Sequence, residues 1–279
     1  MRRVVQLWML GVGCWMFDVP NWILLKGRKL MQTWLTLTRR ELATYFVSIT
    51  GYVIIAAATF LVGWSFVVLL DKLGTRPFSM PVTEVFYNTH VFWFILLLAV
   101  PIITMRLFAL EKSSGTFETL MTTPVSDIQV VAAKFMAALV FYMLMWLPLL
   151  ACPLIVQRYS SQPGFDLGAV GSTYLGIVLL GCPFLAIGGF ASALSRSQMV
   201  AAMVSLVLGV SLFMLGFLPN QMPNQVTWQA QLLSCFALLE HMHDFARGVV
   251  DTRPVIVYFS LTAFFLFLTL RAVESRRWK

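Results

Sequence analysis

The sequence predicts an all-α polytopic membrane protein, with six transmembrane helices preceded by an N-terminal interfacial helix. Three observations lead there. Of 279 residues, 59% are hydrophobic and only 11% are charged, with a mean hydropathy of +0.82, whereas soluble domains carry charge on about a quarter of their residues. The charges cluster between six runs free of Asp, Glu, Lys and Arg, each close to the roughly 20 helical residues that cross a hydrocarbon core. The basic residues also fall unequally on the two sides those runs define. A soluble fold would expose wide apolar patches to water, and disordered, collagen-like and disulfide-scaffold chains do not have this composition.

Residues 1–32 read as an N-terminal extension, and 33–279 as the membrane domain. Arg2 and Arg3 precede an apolar stretch to Phe17 in the manner of a signal sequence, but no small-residue cleavage site follows. Asp18 and Pro20 interrupt the run before Lys26, Arg28 and Lys29. The extension is either an interfacial segment or lies ahead of a biological start at Met31. From Trp34 to Ile49, Leu35, Leu42, Tyr45, Phe46 and Ile49 recur at helical intervals, with Thr36, Arg39, Arg40 and Glu41 as a polar patch. This pattern predicts a helix lying in the membrane interface. Ser48, Thr50 and Gly51 favour a bend before the first span.

The spans follow as Tyr52 to Leu70, Val85 to Met105, Phe135 to Gln157, Leu167 to Ser195, Ser197 to Pro219 and Pro254 to Leu270. With both termini cytoplasmic, the inner side holds Arg39, Arg40, Arg106, Lys112, Lys134, Arg196, Arg271, Arg276, Arg277 and Lys279. The outer side holds only Lys72, Arg76, Arg158, Arg247 and Arg253. Ten against five satisfies the positive-inside rule, so the net charge of +8 is a topology signal and nucleic acid is not an expected partner. Cys14, Cys152, Cys182 and Cys235 have no metal-type spacing and read as buried, inert thiols.

Between spans two and three, Arg106, Glu111 and Lys112 leave the second span, and Ser113, Ser114 and Gly115 break the helix. Phe117, Leu120 and Met121 then form one apolar face of a short helix that starts near Gly115 with Glu118 and ends at Pro124. Ser126 and Gln129 form a capping box for span three, with Asp127 in its first turn. A short amphipathic helix held between two spans is suited to receiving a push from a partner. On the outer side, Trp228, Leu232, Leu233, Phe236 and Leu239 predict an amphipathic helix between spans five and six. Gly248 reads as its C-terminal stop, and Asp251 with Pro254 as the restart into span six. His241 and His243 point opposite ways on a helix, and no further ligand completes a metal site.

The chain has no G-x-x-x-x-G-K-[ST], HExxH or GxSxG motif. Its spans hold no Asp or Glu, whereas ion-coupled carriers need ionisable groups at membrane depth. Active transport would therefore draw its energy from outside the membrane domain. A path lined by hydroxyls, Met and aromatics suits an amphipathic or lipid-like cargo. A membrane enzyme has no polar constellation to work with.

The order of elements, with RLFALEKSSGTFETLMTTPVSDIQVVAAKF (Arg106 to Phe135) at its centre, resembles the permease subunits of type-2 ABC transporters. Gliding-motility-associated and related bacterial permeases are nearest in look. RRELATYFVSITGYV (Arg39 to Val53), FARGVVDTRPVIVYFSL (Phe245 to Leu261) and FLTLRAVESRRW (Phe267 to Trp278) extend the likeness over residues 33 to 279. The chain departs from the pattern in lacking a proline near Ile49 and in having Lys112 where some relatives carry a second acidic residue. The resemblance implies an exporter-type fold in the bacterial inner membrane that pairs with a second copy or a paralogue. It implies no catalysis and no cofactor in this chain, with ATP and Mg held by a separate ATPase subunit. The implied coupling residues are Glu111, Lys112, Gly115, Thr116, Glu118 and Pro124, beside Arg39, Arg40 and Glu41 of an elbow helix. A membrane anchor for a gliding or secretion apparatus is the alternative.

Overall fold

A computed structural model describes residues 21–75, 90–115, 126–159, 167–216 and 235–275, and every regular element among them is a helix. In chain order these are α1 (Asn21–Val47), α2 (Ile49–Thr75), α3 (His90–Thr104), α4 (Ala109–Ser114), α5 (Asp127–Tyr159), α6 (Leu167–Leu194), α7 (Gln198–Leu215), α8 (Leu238–Ala246) and α9 (Thr252–Glu274). Six of them, α2, α3, α5, α6, α7 and α9, supply stretches long and apolar enough to cross a membrane, as the charge-free runs require. Helix α5 starts at Asp127, where the capping box of Ser126 and Gln129 placed it, so Lys134, counted with the charges between spans two and three, sits two turns inside the helix.

Helix α6 is the hub, packing against α3, α5, α7, α8 and α9. In its most apolar stretch 72% of residues are buried, against 17% in α9. Its sequence allows this because glycine removes the side chain wherever a neighbour presses closest. A Cβ on Gly181 would overlap the Tyr142 ring of α5, one on Gly188 would overlap Thr104 Oγ1 of α3, and one on Gly176 would lie 2.8 Å from Phe245 of α8. Two tyrosines then tie α5 to α6 reciprocally: Tyr142 donates to the Ile177 carbonyl at 3.3 Å and Tyr174 to the Met143 carbonyl at 2.7 Å. Trp146 fills the space between these helices and α3, its ring centroid 5.1 Å from that of Phe92. Outward, α2 shows Phe60 and Trp64, α7 shows Met199 and Met203, and α9 shows Phe259 and Phe264. A ring of exposed apolar side chains around a packed interior is the pattern of a multi-pass membrane protein, with lipid as the outer solvent.

Helix α1 ends at a bend on Ser48 and α2 begins directly after it. The bend is tight: a Cβ on Gly51 would run into the Tyr45 carbonyl, which explains the glycine three residues past the turn. Leu42, Tyr45 and Phe46 pack inward, with Tyr45 stacked on Phe141 of α5 at 4.8 Å. Two members of the expected apolar face do not: Leu35 is 62% exposed and Ile49 80%. The helix also extends back to Asn21, across the boundary drawn at residue 32. Residues 1–20 lie outside the described residues.

At the far end of the bundle, α8 packs on α6 through Leu238, Met242 and Phe245, while Trp228, Leu232 and Leu233 lie outside the described residues. Gly248 ends α8 with φ of 87°, and the Val249 and Gly248 amides return to the carbonyls of Asp244 and Phe245 at 3.0 and 3.2 Å. That pairing is a Schellman stop, which needs the left-handed residue glycine supplies. Asp251 caps α9 by accepting from the Arg253 amide at 3.2 Å. Two of the thiols expected to be buried, Cys152 and Cys182, are half-buried, and Cys235 is exposed because it precedes α8 on the surface. Cys14 lies outside the described residues.

Candidate functional site

The end of the bundle where α2 starts and α3 ends gathers the polar residues. Helix α3 stops at Thr104, whose hydroxyl turns back to the Val100 carbonyl at 2.9 Å, and residues 105–108 form a turn into α4. The break therefore comes ahead of Glu111, not at Ser113 and Ser114 as the sequence suggested. Those two serines lie inside α4, their hydroxyls donating to the carbonyls of Leu110 and Glu111 at 2.8 and 3.2 Å. Only Gly115 acts as expected, closing α4 in the left-handed conformation with φ of 74°.

A helix start leaves amide donors without partners, and Phe108 at the N-cap offers no side-chain acceptor. Ser192 of α6 supplies one. Its Oγ accepts from the Phe108 and Ala109 amides, both at 3.1 Å, and donates to the Met105 carbonyl at 3.2 Å. At the other side of the short helix, Lys112 Nζ donates to the Ala193 carbonyl. Ser192→Ala leaves two buried amides and a carbonyl unserved, and is expected to lower stability by about 1–3 kcal/mol. Thermal unfolding in detergent micelles reads this; an unchanged midpoint would show that the Ser192 bonds contribute nothing to stability.

Charge organises the opposite face of α4. Lys134 of α5 is 3% exposed and bonds both Glu111 of α4 at 2.7 Å and Glu41 of α1 at 3.1 Å. Its ammonium also lies 5.6 Å from the centre of the Phe108 ring. Arg40 approaches the other oxygen of Glu41 at 3.1 Å. Burying a lone ammonium costs several kcal/mol, and two carboxylates around one amine offset that cost. Glu41, assigned from sequence to a polar patch, is instead buried with 9% exposure, because it shares the inward face with Tyr45 four residues on. Tyr45 donates to the Ile103 carbonyl at 3.0 Å, and burial pushes its hydroxyl well above the usual phenol range, with Glu41 adding to that shift. Arg106 reaches back to the bend, donating to Ser48 Oγ at 2.7 Å and to Thr50. Between α1, α4 and α5 lies a cleft of about 330 Å³ lined by Arg40, Glu41, Tyr45, Arg106, Glu111 and Lys134 among others.

Of the residues singled out in the sequence, Glu111 and Lys112 therefore sit on one short helix that Gly115 closes, with Glu41 and Arg40 drawn to it. Arg39 is exposed on α1. Thr116, Glu118 and Pro124, with the short helix expected around them, lie outside the described residues. Three participants were not recognised as such: Lys134, Ser192 and Tyr45. A lone lysine among Val130, Val131, Ala133, Ala137 and Ala138 was the available sign, since a cation in an apolar helix face needs a partner. The capping box of α5 forms on one side, the Ser126 amide donating to Gln129 Oε1 at 3.4 Å. On the far end, His241 Nδ1 meets the Tyr258 hydroxyl at 3.3 Å. Burial holds its imidazole below the ordinary range, against the raising pull of Asp244 and Asp251. Among the described residues no three His, Cys, Asp or Glu converge.

The sequence model of the ABC-2 family transporter proteins matches residues 82–257, more than half of the chain. The matched segment contains α3 to α8, and so Glu111, Lys134 and Ser192, while Glu41 and the rest of α1 precede it. No curated protein matches the chain.

Proposed function

This chain belongs to the ABC-2 transporter family as a membrane-spanning permease component, and on that premise we propose that α4 and its surroundings form the receiving end of an ATP-driven exporter. The observation that carries the reading is the bonding of α4. Through Lys134, Ser192 and Lys112, one six-residue helix is fixed at once to α1, α5 and α6. A displacement applied there reaches three helices without crossing a flexible segment. In this reading a separate ATPase subunit binds ATP and Mg, docks against the region of Glu111 to Pro124 with Arg39 and Arg40 alongside, and moves α4 when it closes. This end then faces the cytoplasm of a bacterium, as the excess of Lys and Arg supports, and both termini share that side. A second copy or a paralogue completes the path.

Between their charged ends the spans offer hydroxyls such as Ser65, Thr173, Ser205 and Thr262 and no carboxylate. That lining fits an amphipathic or lipid-like cargo better than an ion, which would need charged or multiply coordinating groups. A link to gliding motility rests on the sequence likeness over residues 33–279.

The test is reconstitution in vesicles of the chain with the ATPase that co-purifies with it. Glu111→Ala together with Glu118→Ala should leave the ATPase able to hydrolyse ATP but reduce its stimulation by the permease about tenfold. Full stimulation in that variant, or failure of any ATPase to co-purify, would overturn the assignment. A scaffold for a gliding or secretion apparatus would bind the ATPase yet show neither stimulation by candidate cargo nor vesicle transport.

A further inference from the structure

We propose that the cleft between α1, α4 and α5 binds the phosphate headgroup of an anionic phospholipid from the cytoplasmic leaflet, with Arg106 as its principal ligand. The charge accounting of the cleft motivates this. Its two carboxylates are already engaged: Glu41 by Lys134 and Arg40, Glu111 by Lys134. Arg106 lines the same cleft but meets no carboxylate within ion-pair distance among the described residues. Only its Nη1 is engaged there, by the neutral hydroxyls of Ser48 and Thr50. A guanidinium held in place by one nitrogen keeps the remainder of its fork of donors for an oxyanion, and phosphate matches that fork.

The surroundings select a lipid as the source. The cleft holds about 330 Å³, within the range of small-molecule sites, so it has room for more than one oxyanion. Arg40, with 59% of its side chain exposed, stands at the rim, and Arg39 beside it is exposed. Immediately past the bend, α2 presents Tyr52 and Val53, 59% and 60% exposed, where acyl chains would run alongside. Basic pockets at the cytoplasmic ends of transmembrane helices are suited to acidic headgroups. The inference rests on the reading of this end as cytoplasmic, but its readout is lipid binding and needs no ATPase.

The purified full chain in detergent micelles, titrated with phosphatidylglycerol or phosphatidylcholine, tests it by native mass spectrometry and thermal unfolding. Phosphatidylglycerol should be retained in preference to phosphatidylcholine and should raise the unfolding midpoint. Arg106→Gln should reduce that preference about fivefold, the effect of removing one cation near an anionic headgroup. Should Arg106→Gln fail to fold, Arg40→Gln at the exposed rim should lower the preference, whereas Arg253→Gln at the opposite end should not. Equal retention of the two lipids, or an unchanged preference in both cleft variants, would overturn the proposal. So would an equal midpoint rise with inorganic phosphate alone, which would assign the site to a free anion. Normal ATPase stimulation without lipid preference would remove this inference and leave the coupling role standing.

Discussion

Lys134→Met should lower the stability of the protein by about 3–5 kcal/mol, the loss expected when one partner of a buried ion cluster is removed. The cause is what remains behind. Glu41 would keep Arg40 but, like Glu111, would lose the amine between them, in a site where the two side chains are only 12% and 18% exposed. Two negative groups would then stand close together with little water to screen them. The prediction has an internal control. If the penalty is orphaned charge, adding Glu41→Leu and Glu111→Leu to Lys134→Met should restore most of the lost stability, because apolar groups of similar size often replace buried ion clusters at little cost. The triple variant should nevertheless fail to transmit stimulation to the ATPase if the charged tie between α1, α4 and α5 is what carries it. Unfolding midpoints in micelles separate the two effects; a single variant as stable as the parent would show that the cluster contributes nothing.

The second large effect is steric. Gly181→Val should destabilise by about 3 kcal/mol or more, near the upper end for an overpacked core. Already at Cβ the new side chain meets the ring of Tyr142, which is fully buried and bonded to the α6 backbone, so it has nowhere to move. Tyr142→Leu in the same chain empties part of that space at the cost of its own contacts. The double variant should be more stable than the sum of the single losses predicts, by about 1 kcal/mol. Strict additivity in unfolding measurements would show that α5 and α6 do not press on each other at this point.

The spans were legible because their signal is one-dimensional. A helix that crosses lipid must be apolar along about 20 consecutive residues, and Asp71, Arg158 and Arg271 mark its limits wherever the chain leaves the membrane. The stops at Gly115 and Gly248 and the start at Asp251 were legible for a related reason, since each is a local backbone requirement met by a local residue. The cluster was only half legible. Helical periodicity places Glu41 on the same face as Tyr45, which could have shown that it is buried, yet its neighbours Arg39 and Arg40 made the stretch read as a solvated patch. That its partner is Lys134, 93 residues away, is a tertiary fact with no trace in the spacing. The role of Ser192 was still less accessible, because a serine in a run of small residues has the same sequence context whether it fills space or caps another helix. The break at residues 105–108 was misplaced for the same reason: the chain turns there because α6 offers Ser192 as an outside acceptor.

Ser192 also changes what kind of object α4 is. Six residues are far too few to hold a helix in water unaided, and the hydrogen bonds that begin this one come from a different part of the fold. Its order is on loan from α6. Lys112 and Lys134 hold its far side, while its first amides are served only as long as α6 stands within hydrogen-bond reach. The order of α4 is therefore coupled to the position of α6, and exchange of the Phe108 and Ala109 amide hydrogens reports that position.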